Sequence, residues 1–340
     1  MTKGVVVGPT QYVDPRDGSV GYCFDILGLD DRSLRRIPMR FLGHGFTVDP
    51  KARRKAATFE KKGPGACLLD LEAGKVVMPI PIAPGRHFYG HGEYAATGDV
   101  VYVVETILDS RQGRISIRDA STFAPAGEVP TFGSSPHDCV LVDDGRTLVV
   151  TNGGGPLGAT DAPSVTFVEL ATGKLLDRRP IPNPRLNAGH LALDAAGNLA
   201  VVSAPREGLV EESTPGGVTL QPRGQPMTTM KRPETIVRRM LGESLSVCIH
   251  ESTGVVVVTN PRGALVTFWS LAERRLLKTW EIKSPRGVTL TADGTCFAVS
   301  CDTIGTLALV STASLERVDD GEFPVQILSG SHIYRYAAEP

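Results

Sequence analysis

A pattern of alternating apolar and polar residues recurs along the chain, each time as two strands joined by a tight turn. It is clearest at residues 140–152, where Asp144 and Gly145 mark the turn. Further copies lie at residues 94–105, 191–203, 248–260 and 288–300. Each copy is followed by a third strand and by a turn into a fourth. Four antiparallel strands per repeat predict the blades of a β-propeller.

The spacing of the repeats predicts how many blades there are. The inner strands start at residues 44, 91, 137, 189, 246 and 286. One further step of 46 residues reaches His332, after which a single strand remains before the C-terminus. Segments 4–8, 19–26 and 35–39 would supply the missing strands. We therefore predict an all-β chain, a seven-bladed β-propeller whose last blade is closed by the C-terminal inner strand plus three N-terminal strands, which protects the sheet edges.

Joining the two ends in one blade predicts a single domain over residues 1–340, although the length alone would allow two. One segment breaks the rhythm. Residues 233–242 have helical spacing and end in Gly242, which predicts a short helix inserted between blades.

Composition and charge exclude several classes of function. Lys plus Arg number 36 and Asp plus Glu 37, so the chain lacks the basic excess of proteins that bind nucleic acids or membrane surfaces. No apolar run approaches the length of a membrane span. No export signal is visible at the start, so we expect a cytoplasmic location, or export if a leader precedes this sequence. The six cysteines form no CxxC pair and predict reduced, buried thiols.

Histidines concentrate at the starts of the inner strands, which converge at one mouth of a propeller channel. These seven positions hold His44, His91, His137, Gly189, Ser246, Arg286 and His332, and His190 adjoins Gly189. Imidazole is a common ligand of first-row transition metals. We predict a metal site with His44, His91, His137 and His332 as ligands and His190 as a further ligand or an acid/base. Its ion would be Cu or Fe, with Zn less favoured, and not Mg or Ca.

A simpler interpretation remains open, in which these histidines are neutral hydrogen-bonding groups around channel water. The other two histidines, His87 and His250, lie off the inner-strand starts and are expected to be structural. The loops between second and third strands are long beside the histidine-bearing positions, at residues 9–18, 106–113, 153–163 and 206–215. They predict a walled pocket there.

Other polar residues near the predicted mouth could assist. Glu105, Asn152 and Asn260 end second strands and could orient imidazoles or contact a substrate. Alternation places Glu93 on the same side as His91, whereas Asp138 should point away from His137 unless the strand start is irregular. Arg286 could hold an anionic group such as a carboxylate or form a channel salt bridge.

The repeats also carry a resemblance to a known family. The matching motifs are Gly90-His91-Gly92, Tyr102 to Glu105, Ser135-Pro136-His137-Asp138, Asp144 to Gly154, Gly189 to Ala192, and Thr259 to Gly263. They resemble an uncharacterised bacterial β-propeller family, a domain of unknown function in the YVTN/WD40-like group, over most of the chain. Its members are typically exported and found with iron-uptake components. The resemblance implies the propeller fold and no specific activity.

These observations favour a metal-dependent oxidoreductase acting on a small organic substrate, with His190, Glu105 and Arg286 as candidate catalytic residues. One alternative is a lactonase-like propeller hydrolase, although such sites draw on carboxylate and amide ligands and these positions are rich in histidine. Another is a non-catalytic propeller that binds a protein partner, which the 2 Trp and 7 Tyr support little.

Overall fold

Antiparallel strands account for almost all of the regular structure, as the alternating pattern predicts. The computed structural model describes residues 2–301, 305–318 and 323–337. Across these residues it forms 28 strands and one short helix, α1 (Glu234–Val237). The helix lies within the segment predicted from residues 233–242, but it is shorter than that segment.

The first three strands are β1 (Val5–Val13), β2 (Val20–Gly28) and β3 (Leu34–Met39). The next four are β4 (Gly43–Val48), β5 (Lys55–Gly63), β6 (Ala66–Asp70) and β7 (Lys75–Pro79). They are followed by β8 (Arg86–Tyr94), β9 (Val100–Ile107), β10 (Gln112–Asp119) and β11 (Pro125–Ser134). A fourth run comprises β12 (Pro136–Val142), β13 (Thr147–Asn152), β14 (Ser164–Glu169) and β15 (Lys174–Pro180).

The second half of the chain repeats the arrangement with shorter strands. A fifth run comprises β16 (Leu191–Leu193), β17 (Leu199–Ser203), β18 (Gly217–Gln221) and β19 (Thr228–Thr229). After α1 come β20 (Val247–His250), β21 (Val255–Asn260), β22 (Leu265–Ser270) and β23 (Arg275–Glu281). The last strands are β24 (Val288–Leu290), β25 (Cys296–Cys301), β26 (Thr306–Ser311), β27 (Arg317–Val318) and β28 (Tyr334–Tyr336).

Sheet pairing follows the chain in groups of four. The described strands form five four-stranded sheets, among them β28-β1-β2-β3, and one eight-stranded sheet. The larger sheet comprises β4 to β7 and β8 to β11, joined where β5 pairs with β8. The predicted pairing of the chain ends is confirmed, because Val5 pairs with Tyr336 and Val7 with Tyr334.

The strands belong to two compact units. Unit 1 contains β1 to β3 and β16 to β28, and unit 2 contains β4 to β15 with the segment Arg206–Gly208. In unit 1, Trp269 and Met240 lie in one apolar cluster with residues of β17, β18 and β21. In unit 2, Phe59, Phe88 and Phe123 share a cluster. These clusters are the hydrophobic cores that hold neighbouring strands together.

Burial falls from the second strand of each sheet to the fourth. Every residue of β13 is buried, whereas β15 is exposed along most of its length. In the group β4 to β7, the third strand, β6, is buried throughout, whereas the fourth, β7, is mostly exposed. The most buried strands contain runs of apolar residues because both of their faces are covered. Their polar residues lie at the strand ends.

All six cysteines are free and lie in strands. Burial raises the pKa of the Cys67 and Cys248 thiols to about 12. They are therefore protonated at neutral pH, consistent with the predicted buried, reduced thiols. No helix among the described residues is long and apolar enough to cross a membrane.

Candidate metal centre

Two glycines let three histidines of unit 2 approach one another. A Cβ at Gly45 would lie 2.1 Å from the carbonyl oxygen of Gly90 and 3.0 Å from Nδ1 of His91. Gly90 has φ +104°, and a Cβ there would lie 2.4 Å from Cδ2 of His44. Any larger residue at either position would collide with a backbone carbonyl or an imidazole. The Gly-His-Gly motifs are therefore the local reason that the rings come together.

The three imidazoles form a buried cluster. His44, His91 and His137 are 3%, 8% and 4% exposed. The ring centroid of His44 lies 4.9 Å from that of His91 and 5.8 Å from that of His137, and the third pair is 6.1 Å apart. One ring nitrogen from each histidine lies within 4.8 Å of the other two. Three predicted ligands are thus brought to one place in unit 2.

Asp138 contacts this cluster, contrary to the simple alternation along its strand. Its Oδ1 lies 3.0 Å from Nδ1 of His91. The register of β12 against β13 shifts between Pro136 and Cys139, and Ser135 has φ +49°. This irregular strand start turns Asp138 out of the expected alternation. The exception stated in the sequence analysis, an irregular strand start, therefore applies to Asp138.

Burial favours the neutral form of His91. Burial lowers the pKa of His91, while the charge of Asp138 raises it and that of Lys61 lowers it. A neutral His91 can donate its Nδ1–H to the Asp138 carboxylate, which leaves the Nε2 lone pair as the possible metal ligand. Carboxylate-to-histidine hydrogen bonds of this kind are typical of metal ligands.

Glu93 lies close to Asp138 in the same unit. Thr47 Oγ1 donates to Glu93 Oε2 at 3.3 Å. Burial and then the Asp138 charge raise the pKa of Glu93 to about 8, against the opposing hydrogen bond from Thr47. Glu93 is thus hydrogen-bonded to Thr47 and lies near the Asp138 carboxylate, which contacts His91.

The remaining two mouth histidines pair with each other in unit 1. His190 and His332 are both buried, and their Nε2 atoms lie 2.8 Å apart. Nδ1 of His332 lies 3.2 Å from Oγ of Ser246, which also accepts the backbone N–H of Val288 at 3.3 Å. Ser246, His332 and His190 therefore form a continuous hydrogen-bonded series.

Hydroxyl groups near the ends of second strands hold the starts of inner strands. The backbone N–H of Asp138 donates to Thr151 Oγ1 at 2.9 Å. In unit 1, the N–H of Ser246 donates to Thr259 Oγ1 at 3.1 Å and that of Gly287 to Ser300 Oγ at 2.9 Å. This repeated contact fixes the backbone that carries the mouth residues.

Three predicted site residues make other contacts instead. Glu105 is buried in an ion pair with Arg118, whose Nη2 lies 2.7 Å from its Oε1, and its Oε2 lies 3.3 Å from Arg86. Asn152 accepts from Thr131 Oγ1 at 2.7 Å and donates to Thr166 Oγ1 at 3.0 Å.

Asn260 donates to the carbonyl oxygens of Leu241 and Glu243 at 3.2 and 2.9 Å. The described contacts of Glu105, Asn152 and Asn260 are thus with strands and loops and not with the histidines. The orienting, substrate-contacting or catalytic roles predicted for these three residues stay predictions.

The remaining candidates are also placed. Arg286 is half-buried in unit 1, and its Nε donates to the carbonyl oxygen of Gly330 at 3.0 Å. His250 contacts Thr253 and Ser252 at a turn, as expected of a structural residue. The ring of His87 lies 5.7 Å from that of Tyr89, outside the cluster.

Two contacts of the site were missed by the sequence reasoning. The ring of Tyr89 lies 4.9 Å from that of His137. Ser246 occupies an inner-strand start, and the strand pattern does not predict its contact with His332. Its position in the repeat could have suggested that Ser246 belongs to the site, whereas nothing in the pattern singles out Tyr89.

Comparison with known proteins adds the family and supports the fold. A family model described as "Protein of unknown function (DUF1513)" matches residues 36–322. No curated protein matches the chain by sequence. Hydrazine Synthase of Kuenenia stuttgartiensis is similar in structure, with 13% identity, a TM-score of 0.70, and coverage of 91% of this chain and 96% of that one.

Two further solved structures are similar. One is "Dihydro-heme d1 dehydrogenase NirN in complex with DHE", with 13% identity, a TM-score of 0.60, and coverage of 97% of this chain and 68% of that one. The other is the Cps50 (Swd1) β-propeller domain of Myceliophteria thermophila, with 12% identity, a TM-score of 0.65, and coverage of 90% and 98%. At such identities the likeness shows the β-propeller fold alone.

Proposed function

The chain belongs to the DUF1513 family, and we propose that it is a seven-bladed, single-domain β-propeller that binds a Cu or Fe ion through His44, His91 and His137. The bound ion would serve oxidation or reduction of a small organic substrate. Seven successive groups of four strands support the blade number. The observation that carries the metal site is the convergence of three buried imidazoles in unit 2.

The donor set fits a transition metal. Three imidazole nitrogen donors suit Cu, Fe, Ni or Zn, whereas Mg and Ca require mainly oxygen ligands. The ligand nitrogens lie within 4.8 Å of one another. Two nitrogens each about 2.1 Å from one ion can be at most about 4 Å apart, so small side-chain rotations bring these rings into range. Gly45 and Gly90 provide the space for that approach.

The protein's own residues prepare the donors. Asp138 accepts the Nδ1–H of His91 and fixes that ring's tautomer and direction. Thr151 fixes the backbone of Asp138. When bound, a redox-active ion would supply electron transfer to or from the substrate. The sequence prediction extends the ligand set to His332, with His190 as a further ligand or an acid/base, and the same binding measurements test both.

Metal binding is tested on the full-length protein, stripped with a chelator and reconstituted separately with Cu²⁺, Zn²⁺ and, without oxygen, Fe²⁺. We expect about one tightly held ion per chain by elemental analysis. His44→Gln, His91→Gln and His137→Gln should each weaken binding at least about 100-fold, or roughly 2.7 kcal/mol. His250→Gln is the matched control, since His250 lies at a turn. His190→Gln and His332→Gln are measured alongside.

Circular dichroism confirms that each variant is folded. Absence of a stoichiometric ion in the folded wild-type protein, or equal losses in His250→Gln and the cluster variants, would overturn the metal site. A spectrum that bleaches with a reductant and returns with an oxidant supports the oxidoreductase. Tight binding of Zn alone, together with hydrolysis of lactones, would contradict the oxidoreductase and support the hydrolase alternative.

A further inference from the structure

Half-buried Arg286 differs from the buried arginines Arg118 and Arg206 in how its guanidinium is bound. Arg118 donates from Nη1 to the carbonyl oxygens of Pro81 and Phe123 and from Nη2 to Glu105. Arg206 donates from Nε, Nη1 and Nη2 to four carbonyl oxygens, at 2.9 to 3.3 Å. Arg286 donates only from Nε, to Gly330. Among the described residues, no protein group binds its two Nη groups.

The backbone of Arg286 is firmly held. Its N–H donates to the carbonyl oxygen of Ser300 at 2.7 Å, and its own carbonyl oxygen accepts from Thr259 Oγ1. The next residue, Gly287, is so close to His332 that a Cβ would lie 2.8 Å from the His332 carbonyl carbon. The guanidinium therefore extends from a rigid strand start next to the Ser246–His332–His190 series of the same unit.

The local charge favours a ligand with one negative charge. Burial lowers the pKa of Arg286, and the charge of Glu243 raises it. Among the described residues, Glu243 acts on the guanidinium through its charge and not through a hydrogen bond. The Nη groups of a guanidinium form a planar fork that matches the two oxygens of a carboxylate. The nearby Glu243 charge repels a phosphate dianion more strongly than a monocarboxylate, which favours the monoanion at the guanidinium.

We propose that Arg286 is the anchor of a binding site for the carboxylate group of a small organic acid. The two Nη groups donate to the two carboxylate oxygens, while Nε stays on Gly330. The buried hydrogen-bonded imidazoles of His332 and His190 lie in the same unit. This site goes beyond the proposed metal site and does not require a metal.

Binding is measured by calorimetry on the metal-free full-length protein, with propionate and benzoate as probes and propionamide and benzamide as uncharged counterparts. We expect the acids to bind at least about tenfold more tightly than the amides, since the amide loses the charge-assisted pair. Arg286→Gln should weaken acid binding at least about tenfold. Arg286→Lys keeps the charge but loses the fork and should give an intermediate loss.

Arg239→Gln is the matched control, because Arg239 is exposed in the same unit and pairs with Glu281. It should bind the acids like the wild type. Absence of acid binding to the wild type, equal binding of acid and amide, unchanged binding in a folded Arg286→Gln protein, or tighter binding of inorganic phosphate than of propionate would each overturn the proposal.

The metal-free measurement keeps this proposal separate from the proposed function. Acid binding without metal uptake would leave the Arg286 site standing and the metal site refuted. The same variants loaded with metal should show unchanged metal stoichiometry.

Discussion

The buried histidines of the two units differ in the groups that they contact. In unit 2, His44, His91 and His137 lie together against glycines, and a carboxylate oxygen is 3.0 Å from one ring. In unit 1, His190 and His332 face each other at 2.8 Å, and a hydroxyl group is the further partner. The first arrangement brings one ring nitrogen of each of three histidines within 4.8 Å of the other two, and the second joins its two imidazoles directly through their Nε2 atoms.

Histidines at equivalent strand starts therefore need not have equivalent roles. The role depends on the group next to the ring. The Asp138 carboxylate can fix the tautomer of a neutral ligand, whereas the Ser246 hydroxyl can donate or accept a hydrogen bond.

Gly90→Ala should have the largest effect. The new Cβ would lie 2.4 Å from His44 Cδ2 at a positive φ, so the strand and the ring must both move. We expect a loss of about 2–4 kcal/mol in the free energy of unfolding and loss of metal uptake. Gly85→Ala is the control, since Gly85 also has positive φ but nothing lies within 4 Å of its Cβ position. Urea denaturation and elemental analysis measure both, and equal effects of the two changes would contradict close approach as the cause.

Asp138→Asn should weaken metal binding by about 10- to 100-fold with little change in fold. The amide cannot accept the Nδ1–H of His91 as strongly as the carboxylate does. Competition with a chromogenic chelator gives the affinities. Asp144→Asn, at the exposed turn that follows β12, serves as the control and should bind like the wild type. An unchanged affinity in Asp138→Asn would show that the carboxylate does not orient a ligand.

Ser246→Ala should lower the free energy of unfolding by about 1 kcal/mol, because the N–H of Val288 and Nδ1 of His332 both lose their hydroxyl partner. Nitrogen-15 NMR of the imidazoles should show a changed tautomer balance for His332 and an unchanged one for His250. If the His332 signals stay in place, the hydrogen-bonded series in unit 1 is not formed in solution.

Asp25 gives the smallest predicted effect and a baseline for the pH dependence of stability. Burial raises its pKa above 3.8, while hydrogen bonds from Thr10 and Cys23, the Arg36 charge and the N–H of Leu328 lower it. The folded state therefore binds more protons than the unfolded state just above pH 3.8. Stability from this group is fully present below that pH and is lost as pH rises through the folded pKa.

Asp25→Asn has no such titration, so the stability of the wild type relative to this variant should fall as pH rises from about 4 to 7. We expect a change under about 1 kcal/mol, since the hydrogen bonds offset much of the burial. Urea denaturation across that range measures it. A difference that stays constant or grows with pH would contradict the assignment of this pH dependence to Asp25.

Much of the fold follows from the sequence. The period of the repeat places the strands, and the leftover C-terminal strand pairs with β1 as expected. The helix is shorter than residues 233–242 suggest, since only Glu234–Val237 are helical. The positions of His44, His91 and His137 follow from the same period, because equivalent residues of repeated strands occupy equivalent places.

The strand repeat, the mostly buried free cysteines and the histidine-bearing strand starts are all predictable from the sequence, because periodicity specifies which face and which end of a strand a residue occupies. Only the tertiary structure decided the partners. An irregular strand start turned Asp138 toward His91, and Arg118 paired with Glu105, which strand-end position alone had marked for the site. Alternation gives a direction, whereas partners depend on strand register and on distant side chains that compete for the same group.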